Sequence, residues 1–486
     1  MEDIAYISAS EAIRRFRSRE LSPVELTEAV LERAAQTEPT INAFAVLYPE
    51  KAMDAARRAE RSYMGDGPPP RPLEGVTVAI KELTPVAGQQ HTLGSLAFKD
   101  NVATVTAPAA ARIIEAGGIV HGRTATPEFG CASFTHSRLL GLTRNPWNTD
   151  FSPAGSSGGA AAALAVGSTT LAQGSDSAGS LRLPASACGV VGYKPPYGRV
   201  PSAPPHGLES CNHDGPMART VPDCALLENV IAGPHLVDPV ALYPKLEIPI
   251  QPADVKGMRI AVTGVPSGLE LDIDVADNLD RSARALEDAG ADVEEVDLGW
   301  SCERVMEATK LHYASTYGPE VQRLLEPFRE LLTPYAIAFA EEELRYAAQP
   351  GFALRANELV TALWSSLSAV LWTADVLICP TLQMPAPEAG KDYIDEGPLV
   401  NGIEQPDRWI VATTVPFNLC SRCPAISIPS GLSRSGVPTG VQIVGRPYQD
   451  VSVFRVASAL ELAQPWLAAA DQRPRVTTES ESRRGR

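Results

Sequence analysis

The chain has 486 residues, of which 44% are hydrophobic and 21% charged, with a net charge of −16 at pH 7. That length allows two or three average domains or one large α/β domain with insertions, and the composition excludes a disordered or fibrous chain. The acidic balance, with a sequence pI near 5.0, disfavours nucleic-acid and anionic-membrane partners and favours a small uncharged or cationic substrate.

The N-terminus, MEDIAYISASEAIRRF, opens with acids and has no continuous apolar core. It resembles neither a secretory signal nor an Arg-rich transit peptide, so a cytoplasmic protein is expected. Ser22-Pro23-Val24-Glu25 places a capping Ser, a Pro at the first helical position and a Glu three residues after the cap, which predicts a helix start. The β-branched, Gly-bounded run from Gly75 to Ile80 predicts a strand that delivers Lys81 at its C-terminal end. A helical pattern over Ala107 to Ala116, a Gly117-Gly118 stop and an apolar Ile119 to Gly122 follow in βαβ order. The alternation recurs as a small-residue helix at Ala160 to Val166 and a strand near Thr169 to Ala172. Later apolar runs lie at Arg259 to Val262, Val376 to Cys379 and Val441 to Val444.

These elements predict an α/β fold with a mixed or parallel sheet covered by helices. Residues 1–70 read as N-terminal helices and 71–233 as a core rich in Gly motifs. The acidic, helix-favouring stretch 234–375 reads as a mainly helical insertion or cap, 376–471 as a return to the core, and 472–486 as a mobile charged tail. The apolar stretch from Leu359 to Ile378 is interrupted by Ser365, Ser366, Ser368, Thr373 and Asp375, and reads as a helix followed by a core strand rather than a membrane span. Eight scattered cysteines do not make a disulfide scaffold. Cys420 and Cys423 form a C-x-x-C with no second ligand pair, so they are expected to fill the core. No H-E-x-x-H occurs among the seven histidines, and no metal or cofactor is expected.

Three segments carry candidate chemistry: Val76 to Glu82 around Lys81, Ala154-Gly-Ser156-Ser157-Gly-Gly159, and Gly174-Ser-Asp176-Ser-Ala-Gly-Ser180-Leu-Arg182. Singly, each has an ordinary explanation as a strand-end charge, a flexible loop or a phosphate-binding turn. The last is weakened by the lack of a Gly-Lys-Ser/Thr arrangement. A Ser hydroxyl is a weak nucleophile without a base in hydrogen-bond reach, and a Lys serves as base only when neutral, which burial favours.

Together the three resemble the amidase signature family, in which a Lys, an S-S-G-G run and a Gly/Ser-rich motif ending in a nucleophilic Ser occur in this order. Ser156 and Ser180 lie 24 positions apart, the family's separation. The resemblance continues through Thr143-Arg-Asn145-Pro-Trp, Cys188 to Lys194-Pro, Gly215 to Asp223, and Pro416-Phe-Asn418 to Gly440-Val-Gln442. It implies a large mixed, twisted sheet with helices on both faces, and a Ser-Ser-Lys triad. Ser180 would be nucleophile, Ser156 proton bridge and Lys81 base, with an oxyanion hole from the amides of Ser177, Ala178, Gly179 and Ser180. Ser157, Asp176 and Arg182 would support these groups. Two positions depart from the common pattern: Ala178 replaces the first Gly of D-x-G-G-S, and Glu82 stands where many members have Asp.

Ala178 together with Leu183 is similar to the branch that contains 6-aminohexanoate cyclic-dimer hydrolase and bacterial urethanases. The implied substrate is a small linear or cyclic amide, an anilide or a carbamate, with ester cleavage alongside and a homodimer left open. The competing expectations are the glutamine-hydrolysing component of a tRNA amidotransferase and a scaffold retained for binding alone.

Overall fold

The computed structural model describes residues 3–202, 206–250, 254–405, 413–467 and 470–476, so most of the expected C-terminal tail lies outside the described residues. Eleven strands form one mixed sheet. In chain order they are β1 (Phe44–Leu47), β2 (Thr77–Lys81), β3 (Ile119–Thr124), β4 (Leu171–Asp176), β5 (Val191–Lys194), β6 (His213–Ala218), β7 (Arg259–Val262), β8 (Asp292–Glu295), β9 (Val376–Pro380), β10 (Ala425–Leu432) and β11 (Pro438–Gly445). Their spatial order is β1-β3-β2-β4-β6-β5-β10-β11-β9-β7-β8. The β3-β2-β4 and β9-β7-β8 neighbours run parallel, and the centre between them is antiparallel.

The period-2 alternation along the strands shows that both faces are buried. Val78, Leu171, Ile260, Ile378, Ile426 and Ile443 join one apolar cluster with the helices α5 (Val221–Ile231), α6 (Ile273–Asp288) and α11 (Asp450–Ala463). Their neighbours Ala261, Leu377, Ala425 and Val444 join a second cluster with α7 (Cys302–Ser315), α8 (Tyr317–Phe328), α9 (Pro334–Ala347) and α10 (Phe352–Thr373). Ala79 and Ala172 join a third with α3 (Gly158–Val166).

The cap at Ser22 is a full capping box on α1 (Pro23–Ile41), and α2 (Pro108–Glu115) precedes β3 as the spacing predicts. Every residue of α3 is buried. Small residues are required there: a Cβ on Gly159 would collide with the Ala43 carbonyl and the backbone of Ala125. No helix among the described residues is long and apolar enough to cross a membrane.

Two expectations shift. The strand expected near Thr169 to Ala172 instead runs from Leu171 to Asp176. Thr169 Oγ1 turns back onto the Leu171 carbonyl at 2.7 Å, while pairing with β6 holds the β-poor residues Gly174 to Asp176 extended. Within 234–375, helices occupy Cys302–Thr373 apart from short connections, but β7 and β8 belong to the main sheet and α6 packs against β10 and β11. The apolar alternation of Arg259 to Val262 completes the sheet beside β9, so the helical cap is shorter than composition suggests.

Candidate active site

The end of β2 places Lys81 beneath the sheet's parallel edge with no solvent exposure. Its Nζ donates to Ser156 Oγ at 2.7 Å and to Ser175 Oγ at 3.0 Å. Burial pushes the ammonium down to about 7, against the opposing pull of Asp176 and Asp214. Ser156 sits on the loop before α3. The following Ser157 anchors that loop to β4, with its N–H donating to the Ser180 carbonyl at 3.2 Å and its Oγ to the Ser175 carbonyl at 3.2 Å. This close approach needs Gly174, where a Cβ would lie 2.7 Å from Ser157 Oγ.

Ser180 stands after β4 in a loop whose carbonyls all point to partners. Ser177 O accepts from Tyr313 Oη at 2.6 Å, Ala178 O from Thr414 Oγ1 at 2.6 Å, Gly179 O from Leu183 N at 2.7 Å, and Ser180 O from Ser157 N. Ser177 Oγ is held by Asn212 Oδ1 at 3.0 Å and Tyr317 Oη at 2.7 Å. Turning the carbonyls outward leaves amides facing the other way. Among the described residues no acceptor takes the N–H of Ser177, Ala178 or Ser180, and these three residues line the cavity. Such an arrangement suits a developing oxyanion.

Gly179 departs from the expected donor set. Its N–H is already given to Asp176 Oδ1 at 2.7 Å and it does not line the cavity. Its own requirement is conformational, since its φ is 118° and a Cβ there would run into Thr414 Oγ1. Ala178 has no positive φ, so its methyl group fits without a shift of the loop. Gly179→Ala is therefore expected to cost activity by at least tenfold and to lower the melting temperature, whereas Ala178→Gly should leave folding close to unchanged. Parallel melting curves and initial rates check both.

Asp176 and Arg182 form a fully buried ion pair at 3.0 Å. Arg182 also donates to Thr414 O at 3.3 Å, Gln442 Oε1 at 2.8 Å and Asn418 Oδ1 at 2.6 Å. Asn418 Nδ2 donates to Asp176 Oδ1 at 2.8 Å. Burial alone would raise the Asp176 carboxyl, but the Arg182 guanidinium and the Asn418 amide hold it well below the usual carboxylate range. This knot fixes the loop without opening to solvent. Glu82 is likewise buried; its carboxylate takes the Thr92 amide, away from the Lys81–Ser156 contact, and burial raises its pKa.

A cavity of about 340 Å³ opens over Ser156, Ser175 and Ser180. Its walls are mainly apolar, with Phe98 and Phe129 from the core side and Tyr313, Val321 and Phe339 from the cap. Ser180 lines this space, and none of the hydrogen bonds among the described residues joins its Oγ to Ser156. Catalytic hydrogen bonds are often long in ligand-free enzymes and tighten when substrate binds. Sequence reasoning did not single out Ser175, Asp214, Tyr313, Tyr317 or Thr414; Asn418 and Gln442 lie in motifs it noted without a role. Cys420 and Cys423 are both buried free thiols.

A family model described as Amidase matches residues 25–454. Among curated sequences, the acylamidase of Rhodococcus erythropolis is 33% identical, covering 97% of this chain and 98% of that protein. The GatA-type component of the glutamyl-tRNA(Gln) amidotransferase from a Cyanothece species is 32% identical, covering 94% and 98%. Among solved structures, a bacterial aryl acylamidase of the amidase signature family superposes with a TM-score of 0.88 at 29% identity, covering 96% of this chain and 98% of that one. The 6-aminohexanoate cyclic dimer hydrolase, solved with substrate, gives 0.84 at 29% identity, covering 98% and 100%.

Proposed function

Because this chain belongs to the amidase signature family of hydrolases acting on C–N bonds, we propose that it is a small-molecule amidase working through an acyl-enzyme on Ser180. The observation that carries the reading is the buried Lys81 donating to Ser156 directly beneath the cavity that Ser180 lines. Neutral Lys81 draws the Ser156 proton, and Ser156 in turn takes the proton of Ser180 as its oxygen attacks the substrate carbonyl. The amides of Ser177, Ala178 and Ser180 receive the oxyanion. The proton returns through Ser156 to the leaving amine, which departs neutral, and water then releases the acyl group by the reverse sequence. The same acyl-enzyme chemistry extends to carbamates and esters, whose leaving groups are no worse than an amine.

The largely apolar walls favour aliphatic amides and anilides. A second reading, glutamine hydrolysis for a transamidating partner, draws on the similarity to the tRNA amidotransferase component. A glutaminase assay separates the two: turnover of glutamine faster than of short acyl anilides would replace the first reading with the second. Incubation with a phosphonofluoridate, followed by peptide mass spectrometry, tests the nucleophile. The expected adduct is on Ser180, and an adduct elsewhere with activity lost would overturn the assignment.

The pH profile is a further test. A base must be unprotonated to act, and burial lowers the Lys81 pKa to about 7. The profile of kcat/KM should therefore rise with pH and level off above that value, falling about tenfold per unit on the acid side. A flat profile between pH 5 and 8 would remove Lys81 from the role of base.

A further inference from the structure

Among the described residues only two charged side chains line the cavity, Asp214 and Arg323, and they sit at different depths. Arg323 is exposed on α8 at the rim. Asp214 lies on β6, directly across from Ser175 in the β4–β6 register, on the strand next to the one that leads to Ser180. One carboxylate oxygen, Oδ1, accepts from Gln173 Nε2 at 3.0 Å. Among the described residues no donor reaches the other oxygen. That oxygen is not sealed inside the protein, so it is left to the cavity.

An anionic oxygen in a mainly apolar recess costs free energy unless something pairs with it. The protein offers no pairing group of its own there apart from Lys81, whose role as base requires it to be neutral during reaction. We propose that Asp214 is a substrate-recognition residue, and that the cavity takes amides bearing an ammonium or strong N–H donor within a few bonds of the scissile carbonyl. The inference rests on the serine-amidase reading and adds a substrate class to it. A cationic group entering beside Asp214 supplies the missing partner. Its positive charge next to Lys81 also disfavours a proton on that lysine, so binding the correct substrate helps to keep the base free. Coulombic coupling of Lys81 and Asp214 in both directions is consistent with that proximity. The apolar walls would meet the rest of the molecule, and the acidic net charge of the chain draws cations towards it.

The test uses a matched pair, alanine 4-nitroanilide and propionyl 4-nitroanilide, which differ only by an α-ammonium. The wild type is expected to prefer the alanine compound in kcat/KM by at least tenfold at pH 8. In Asp214→Asn, which keeps the shape and the bond with Gln173, that preference should vanish, through a loss on the alanine compound with the propionyl rate kept within about threefold. Equal rates on both substrates in the wild type would overturn the proposal. So would an equal fall on both in the variant, which would make Asp214 a structural or Lys81-tuning group. If Asp214→Asn fails to fold, Asp214→Ser and the wild-type preference alone still decide. Failure of the underlying reading looks different: no turnover of either anilide by the wild type and no phosphonofluoridate adduct on Ser180.

Discussion

Ser180→Ala is expected to lower kcat on small anilides by on the order of 10⁴-fold or more, and to abolish phosphonofluoridate labelling, with the fold intact. The side chain lost is one hydroxyl lining a cavity, and no buried donor or acceptor depends on it among the described residues, so the melting temperature should move little. What remains is any catalysis from the three loop amides and from substrate positioning. Lys81→Ala and Ser156→Ala should each approach the same loss, because the proton path fails wherever it is cut. A double variant should be little worse than either single one, since groups acting as one unit are not additive. Lys81→Ala also removes a desolvated amine, so its activity loss should come without a matching loss of stability. Near wild-type turnover in Ser180→Ala would end the acyl-enzyme mechanism on this residue.

Arg182→Met is the variant expected to damage the fold most. It leaves the Asp176 carboxylate buried and unpaired, and it strips donors from Asn418, Gln442 and the Thr414 carbonyl. Breaking one side of a buried pair costs about 3–5 kcal/mol, a large share of the stability of an ordinary protein. Denaturant titration followed by fluorescence reads this directly. Arg182→Lys should recover only part of it, because a single ammonium cannot span the carboxylate, the two amides and the carbonyl that the planar guanidinium reaches. The double variant Asp176→Asn, Arg182→Met is expected to be more stable than the Arg182 variant alone, since the uncompensated charge is gone. A loss below about 1 kcal/mol for Arg182→Met would show that the pair contributes nothing beyond a surface contact.

The sequence made some of this legible for definite reasons. Lys81 could be placed because five apolar or β-branched residues run up to it between Gly75 and a turn, and the helix start at Ser22 because the capping signature is local. The Lys–Ser156 contact was readable only through the family spacing, since nothing within either segment indicates that residues 75 positions apart touch. What could not be read has a common cause in long-range packing. The extension of β4 to Asp176 depends on pairing with β6, and the commitment of the Gly179 amide depends on where the Asp176 carboxylate is turned by Arg182. The cap tyrosines that fix Ser177 lie more than 130 residues away, in the part of the chain with the least distinctive sequence. Asp214, one residue before a recognisable Gly-Pro motif, is betrayed by no local pattern at all.

The Arg182 knot joins residues 236 and 260 positions downstream, Asn418 and Gln442, to a loop laid down early in the chain. During synthesis from the N-terminus, the Lys, both serines and the glycine turn would all have left the ribosome well before the strand that locks them. A chain interrupted anywhere before Gln442 thus carries every reacting group and cannot arrange them. Maturation of the catalytic machinery becomes a report that translation has run nearly to the end, and incomplete products are chemically silent without any separate inhibitor.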